Sequence, residues 1–461
     1  MMNPRKTNRL MVLSLALSFA FIFTFAEKSS AQEGQQISST SVKGDSATAK
    51  IYLDLQNGMT GDAAVKFALE NNGEILALRQ EVEAAKSLVK QAALKPNPMF
   101  EASGAQQIGG TDNNLMVQGS LPLELGGRRS ARIAVAQADL EIREFALANQ
   151  ERLLAAEVRS KFGEVLSTIK KVELLERIMA NTRQGYQIIT AKVTEGRTAP
   201  LEQNMLLVEV NRLRSMRETS EGKVEAAMFE LKNLIGMKPE TLLRLSGDFE
   251  DLIDNLPPVE EFVTNALRDR PDFQGARAME KLAVARLNQA RSESKVDASL
   301  KTGYQRMKSG FPLNGITDTG ALQPIESVFH YFTFGVEINL PVRNRNQGMI
   351  EAAVYEQQAA QSRIQFGELT VRREVNVAYA RYNRAVRALT IFQSGVRDQA
   401  SVNLQAIWQT YEFGKRTLSD YIAEERRFLD IETELTDALL ETYLAKIEIK
   451  RSTNTPKLII K

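Results

Sequence analysis

Leu121-Pro122-Leu123-Glu124-Leu125-Gly126-Gly127-Arg128-Arg129 is followed by a long Ala-rich helical pattern and then by Glu195-Gly196-Arg197-Thr198. The order recurs downstream. Leu340-Pro341-Val342-Arg343-Asn344-Arg345-Asn346-Gln347-Gly348 leads into a second such helix and then Phe413-Gly414-Lys415-Arg416-Thr417. Pro122 and Gly196 are 74 positions apart; Pro341 and Gly414 are 73 apart. An alternating segment, a Pro break, a long helix and a Gly turn, twice at one spacing, read as a tandem duplication. The copies run 51–247 and 248–453, each a helix, a β-hairpin and a long helical hairpin, with a short tail at 454–461.

Upstream of each Pro break the apolar period is two. Phe100, Ala102 and Gly104 alternate with polar neighbours, as do Leu115, Val117, Gly119 and Leu121. In the second copy Val296 to Tyr304 alternates. Then Val328, His330, Phe332, Phe334, Val336, Ile338 and Leu340 fall on one face. Strands of about ten residues with one apolar face suit a membrane β-strand; ordinary soluble hairpins with one buried face give the same pattern. Ser309–Ser327, with Gly310, Pro312, Gly315, Gly320 and Pro324, reads as a long surface loop.

Pro122 and Pro341 cannot continue a central strand, and helix takes over. The long hairpins are predicted at Arg129–Ala191 with Leu201–Leu234, and Ile350–Tyr411 with Leu418–Lys450. About 60 residues of helix span roughly 90 Å, too long for a compact core, so these helices need helical partners. Shorter helices are predicted at Asp62–Leu94 and Glu260–Ser292, bent at Asn71-Asn72-Gly73 and Asp269-Arg270-Pro271.

Of 461 residues 43% are apolar and 25% charged, with a net charge of +2. That balance gives no reason to expect nucleic acid. No Cys and a single His, His330, exclude thiol chemistry and Cys/His zinc sites. No catalytic constellation, phosphate loop, cofactor motif or metal spacing is present, and no enzyme reading has residue support. Arg5, Lys6 and Arg9 precede an apolar run from Leu10 to Ala26, which reads as a signal peptide within 1–31, cleaved after Ala26 or Ala31; the alternative is an uncleaved anchor. Ser-rich residues 32–50 read as a disordered linker. No later segment reaches the roughly 18 apolar residues of a membrane helix.

Four strands cannot close a membrane barrel, whose smallest members have about eight, and open sheet edges in lipid cost several kcal/mol per unpaired group. Several chains must therefore share one barrel if the strands lie in lipid. Two chains give 8 strands and three give 12, and a tube wide enough to conduct favours three.

This layout resembles the TolC-like outer membrane efflux proteins over about Ile51–Arg451. Leu121–Arg132 and Asn339–Ala352 are similar to the CzcC-like cation-efflux branch. The resemblance implies an α+β membrane channel: a homotrimer with a 12-stranded barrel in the outer membrane and a long α-helical barrel in the periplasm. It also implies a periplasmic adaptor and an inner-membrane resistance-nodulation-division transporter as partners. Tyr411-Glu412-Phe413-Gly414-Lys415-Arg416-Thr417-Leu418-Ser419-Asp420 matches the family's tip pattern, and implies a periplasmic gate at Tyr411, Arg416 and Asp420. A second aspartate of some members is Ala423 here, beside Glu424, so the acidic ring would be weaker or displaced. Gly196, Arg197, Thr198, Gly414, Lys415 and Thr417 would meet the adaptor, and Pro122, Gly126, Gly127, Pro341, Asn346 and Gly348 mark the barrel-to-helix junction. Many relatives carry a lipidated Cys, which this chain lacks.

Taken singly, Asp420 could equally be a helix-start carboxylate favoured by the dipole, and the two glycines simple turn residues. His330 fits an interfacial aromatic girdle, Trp408 interhelical packing, and the scattered Met residues packing. Arg128, Arg129, Arg343 and Arg345 fit anchoring where barrel meets helix. Asp420→Ala is expected to alter cation conductance and Glu202→Ala to leave it unchanged. Drug efflux, type I protein secretion and a non-conducting periplasmic coiled-coil scaffold are the competing functions.

Overall fold

The computed structural model describes residues 49–454 apart from 250, 251 and 255. The expected signal peptide, most of the linker and the tail beyond Asn454 lie outside the described residues. The linker's last two positions belong to a one-turn helix, α1 (Ala49–Tyr52).

Each half has the same order of elements. The first holds α2 (Gly61–Asn71), α3 (Gly73–Ala92), β1 (Met99–Gln106), β2 (Asn113–Pro122), α4 (Arg128–Thr194) and α5 (Pro200–Leu234). The second holds α6 (Val259–Asp269), α7 (Pro271–Glu293), β3 (Asp297–Ile316), β4 (Leu322–Asn339), α8 (Gln347–Ile391), α9 (Arg397–Glu412) and α10 (Leu418–Thr453). The bends fall where predicted. Asn72 ends α2 and caps α3, its side chain accepting from the Glu74 and Ile75 amides. Pro271 starts α7, where its missing N–H costs nothing. The predicted helix from Ile350 to Tyr411 is interrupted by a π turn at Phe392–Val396, which inserts a residue and rotates the faces of α9 relative to α8.

The strands form one antiparallel sheet in the order β1-β2-β3-β4. Its register places Ala102, Val117, Tyr304 and Phe332 across one face, with Leu121, Leu300 and Val336 two rungs away. On the opposite face lie Ser103, Gln118, Lys301, Gln305 and Thr333. Within the single chain the apolar face is uncovered: Phe332 is 74% exposed and Phe334 83%. His330 sits on this face, its Nδ1 2.6 Å from the Tyr304 hydroxyl and beside Phe332's neighbour ring. The expected long loop at 309–327 is instead a continuation of the β3–β4 ribbon. Pairing runs from Asp297↔Asn339 to Ile316↔Leu322, with a bulge between Gly310 and Asn314, and only 317–321 turn. The glycines and prolines there are absorbed by the bulge and by the last ladder rungs.

The two halves build equivalent cores. Ala64, Val65, Ala68 and Ile75 pack with Val158 to Val172 of α4 and Val224 to Leu231 of α5. Phe262, Val263, Ala266 and Phe273 pack with Val371 to Ala385 of α8 and Ala445 and Ile449 of α10. A buried ionic cluster ties the second core to α10. Arg270, 2% exposed, pairs with Asp272 at 2.6 Å and Glu374 at 2.8 Å and reaches the Ser452 carbonyl. From these cores the hairpins α4–α5 and α9–α10 run to a common end. At about 1.5 Å per residue, the 67 residues of α4 span roughly 100 Å. No helix among the described residues is long and apolar enough to cross a membrane.

Candidate functional site at the helix tips

Both tips are built by one backbone device. In the first, Gly196 is left-handed at φ +73°, and the Arg197 amide donates back to the Lys192 carbonyl at 2.8 Å. In the second, Gly414 is left-handed at φ +68°, and the Lys415 amide donates to the Thr410 carbonyl at 2.9 Å. This closes the orphan carbonyls of each helix end, and a Cβ at that conformation would be strained. Each return helix then starts three residues after its Gly, at the caps Ala199 and Thr417.

The tips diverge at the cap. Thr417 accepts from the Asp420 amide, and the Asp420 carboxylate accepts from the Thr417 amide at 3.0 Å, a reciprocal capping box. These hydrogen bonds hold the Asp420 carboxyl below its usual range, with Arg416 adding a smaller pull. In the first tip the cap is Ala199, which has no side-chain oxygen to offer, and Pro200 follows. Glu202, which stands where Asp420 stands in the second tip, is left to other partners. Its Oε2 accepts from the Thr198 hydroxyl at 2.9 Å and from the Tyr411 hydroxyl at 2.5 Å. That second bond joins one hairpin to the other.

Around the link is an apolar knot of Ile189, Leu206, Leu418 and Ile422, with Tyr186, Tyr411 and Tyr421 against it. Trp408 packs between Tyr411 and Tyr421, at ring distances of 5.7 and 4.8 Å, and the Lys192 ammonium lies 5.9 Å from the Tyr411 ring centre. Burial pushes the Tyr411 phenol up, as does the Glu202 carboxylate beside it, so the phenol remains a donor.

One to two turns further in, carboxylates cross between the hairpins. Glu209 is fully buried and held by Arg212 of its own helix and by Arg426 of α10 at 2.7 Å. Burial pushes its carboxyl up, but the two guanidiniums outweigh it and hold it low. Glu425, 3% exposed, accepts from Thr182 at 2.9 Å and Tyr421 at 3.2 Å, and its other oxygen has no hydrogen-bond partner. Burial pushes its carboxyl up, against those two hydrogen bonds.

Of the residues singled out from sequence, Tyr411 is brought into the interhairpin link. Gly196 and Gly414 make the turns, and Asp420 and Thr417 cap a helix. Arg416 and Lys415 are exposed at the second tip, Arg197 is exposed and pairs with Glu195, and Glu424 is half-buried one turn behind Asp420. Glu202, where sequence reading expected an Ala substitution to leave conductance unchanged, is an acceptor that joins the two tips. Thr198 and Glu202 at i and i+4 were the available signal. Leu201 and Phe413, within the two tip segments, are apolar side chains 66% and 78% exposed.

At the other end of the helices, Gly126 and Gly127 have φ +74° and +83°, and Asn346 stands left-handed at φ +58° as the cap of α8. Pro122 is the last residue of β2, opposite Ser299; Pro341 lies just after β4, and Gly348 is inside the first turn of α8. Among the described residues no group of three His, Asp or Glu is placed to hold a metal ion.

The family model described as outer membrane efflux protein matches residues 64–236 and 262–455, one segment in each half. The chain belongs to that family. A curated relative, the cobalt-zinc-cadmium resistance protein CzcC of Cupriavidus metallidurans, is 23% identical over 395 residues, covering 85% of this chain and 89% of that one. The nickel-cobalt-cadmium resistance protein NccC of Alcaligenes xylosoxydans xylosoxydans is 24% identical over 306 residues, 64% of this chain and 63% of its own. Among solved structures, CusC superposes with a TM-score of 0.71 at 18% identity, covering 87% of this chain and 93% of that one. The outer membrane protein VceC of Vibrio cholerae gives 0.67 at 13% identity, covering 85% and 95%. The chain thus has the α+β fold of a TolC-like channel, and its family is one of channels rather than enzymes.

Proposed function

We propose that three copies of this chain form an outer-membrane exit duct for heavy-metal cations. Four strands per chain would make a 12-stranded barrel, continued into the periplasm by the helical hairpins, whose tips meet a periplasmic adaptor fed by an inner-membrane resistance-nodulation-division transporter. The observation that carries this reading is one continuous body with an uncovered apolar sheet at one end and two linked helix turns at the other. β1 and β4 are both edges of the sheet and antiparallel to each other. Joining β4 of one copy to β1 of the next therefore continues an antiparallel ladder and removes the edges that lipid cannot tolerate. Tyr355, Phe366, Leu369, Ile391 and Val402 are all more than half exposed along α8 and α9, which supports helical neighbours from another copy.

Metal cargo is supported by the two resistance relatives rather than by any ligand cluster in the chain, as suits a passive duct whose pump selects the substrate. Tyr411, Glu202, Arg416, Asp420 and Glu424 would form the gate, and Gly196, Arg197, Thr198, Gly414, Lys415 and Thr417 the adaptor-facing surface. Deleting the gene and measuring tolerance to zinc, cobalt, cadmium, nickel and drugs tests the cargo: lost metal tolerance with unchanged drug tolerance is expected, and the reverse overturns it. Light scattering of the detergent-extracted protein tests the assembly, and a monomer refutes it.

A further inference from the structure

The apolar face of the sheet does not end with its ladder. From Leu121 at the end of β2 it continues into Leu123 and Leu125, all exposed, and past β4 into Leu340, Val342 and Met349, exposed by 62%, 68% and 65%. These residues lie in or border the turns that lead into α4 and α8, where the charge is predominantly positive. Lys95, Arg128, Arg129, Arg132, Arg291, Lys295, Arg343 and Arg345 fall within these turns and the neighbouring helix ends. Two acids of the belt are neutralised at home: Glu124 pairs with Arg132 at 2.5 Å and Asp297 with Arg128 at 3.5 Å. Arg343 and Arg345 are exposed, and neither has an ion pair among the described residues. Their loop is nonetheless shaped. The Asn344 side chain accepts from the Asn346 amide at 3.0 Å, and the Gln347 side chain accepts from the Arg345 amide at 2.8 Å. The positive ends of α4 and α8, neither closed by a side-chain cap, lie in the same belt.

An apolar strip edged by unpaired guanidiniums is the chemistry of a membrane interface. Leu and Val side chains enter the acyl boundary, while Arg reaches phosphate oxygens with two parallel donors. We infer that the strand-to-helix turns form a basic collar that binds anionic phospholipid headgroups of the leaflet bordering the helices, with Arg343 and Arg345 as the phosphate ligands. The collar rests on the reading that the sheet faces lipid. It adds a second hold on the membrane and fixes the depth at which the helices emerge.

The test uses the full-length protein reconstituted in phosphatidylcholine vesicles doped with spin-labelled phosphatidylglycerol or spin-labelled phosphatidylcholine. Channel conductance of the same preparation is recorded, so that failure of membrane insertion is seen separately. The motionally restricted fraction gives a headgroup preference. Each Lys or Arg near an anionic surface contributes about 1 kcal/mol, so the wild type should prefer phosphatidylglycerol roughly fivefold or more. The preference should fall toward one in R343Q/R345Q and in high salt. It should survive in R343K/R345K and in R363Q, which removes a charge from α8 away from the collar. A conducting channel with no anionic preference overturns the collar alone, as does a preference unchanged in R343Q/R345Q. If inorganic phosphate abolishes the preference at an ionic strength where chloride does not, the site is one for small anions and the collar is refuted. If R343Q/R345Q alters only ion selectivity, the guanidiniums face the pore and the inference fails.

Discussion

Tyr411→Phe removes one oxygen and the hydrogen bond that joins the two tips, leaving the ring in place between Lys192 and Trp408. The lost bond is charge-assisted, 2.5 Å long and half-buried. Bonds of that kind contribute about 1.5–3 kcal/mol. At roughly 1.4 kcal/mol per tenfold, the linked arrangement should weaken about tenfold to a hundredfold in each copy, and a ring of three copies compounds the effect. Single-channel recording in planar bilayers should show a closed, low-conductance wild type and frequent openings in Tyr411→Phe. Glu202→Gln should do nearly the same, because a neutral amide oxygen is a weaker acceptor. The double variant should resemble either single one, with a coupling of about 1 kcal/mol or more. Additive effects, or an unchanged open probability in both single variants, would refute the link as the restraint on the tips.

Thr417→Ala loses the cap of α10 but not the interhairpin bond; it should cost about 1 kcal/mol of thermal stability with far less change in open probability than Tyr411→Phe. Phe334→Arg places a charge on the uncovered sheet face and should lose about 2–4 kcal/mol if that face meets lipid. Thr333→Arg, on the opposite face, should assemble normally and change conductance; equal assembly of both, scored as heat-modifiable oligomer on gels, would place the sheet outside lipid. Glu425 gives a pH dependence. Its folded pKa is raised above the unfolded value near 4.5, so its contribution is fully present below that value and is lost as pH rises through the folded pKa. Thermal melts should show stability falling across that window, and Glu425→Gln, which keeps the acceptor without the charge, should flatten the curve; an unchanged slope would assign the dependence to other groups.

The period-two stretches, the Pro breaks and the long uninterrupted helices were legible because each depends on local rules: alternation, a missing N–H, a 3.6 repeat. Asn72 and Pro271 gave the bends for the same reason. The ribbon at 309–327 was not legible, because Gly310, Pro312 and Pro324 signal a loop in isolation. Only the partner strand, pairing on past a bulge to Ile316↔Leu322, turns them into ladder. The π turn at Phe392–Val396 was hidden likewise, since one inserted residue leaves the helical composition unchanged and only the rotation of the packed faces reveals it.

Glu202 and Asp420 make the sharpest case. Each stands six residues after a left-handed Gly and three after a helix cap, so by position they are the same residue of a duplicated unit. What separates them is the cap between. Asp420 accepts from the Thr417 amide in a reciprocal box, whereas Ala199 has no hydroxyl to complete such a box and the Glu202 carboxylate accepts from Thr198 and from Tyr411 of the other hairpin instead. A carboxylate left out of a capping box, beside a cap that lacks its hydroxyl, thus becomes a link between copies. Restoring that hydroxyl is therefore a direct perturbation of the tips. Ala199→Ser would add the hydroxyl that accepts from the Glu202 amide, and by ordering that first turn would favour the Glu202 carboxylate on the residue-199 amide over Tyr411. Local capping contributes about 1 kcal/mol and the interhairpin bond about 1.5–3 kcal/mol, so the box competes with the link without abolishing it. The variant should raise open probability by less than Tyr411→Phe does, and the increase should vanish in the Tyr411→Phe background. If Ala199→Ser instead leaves the channel as closed as the wild type while stabilising α5, the division of labour between the two acids does not arise from the cap.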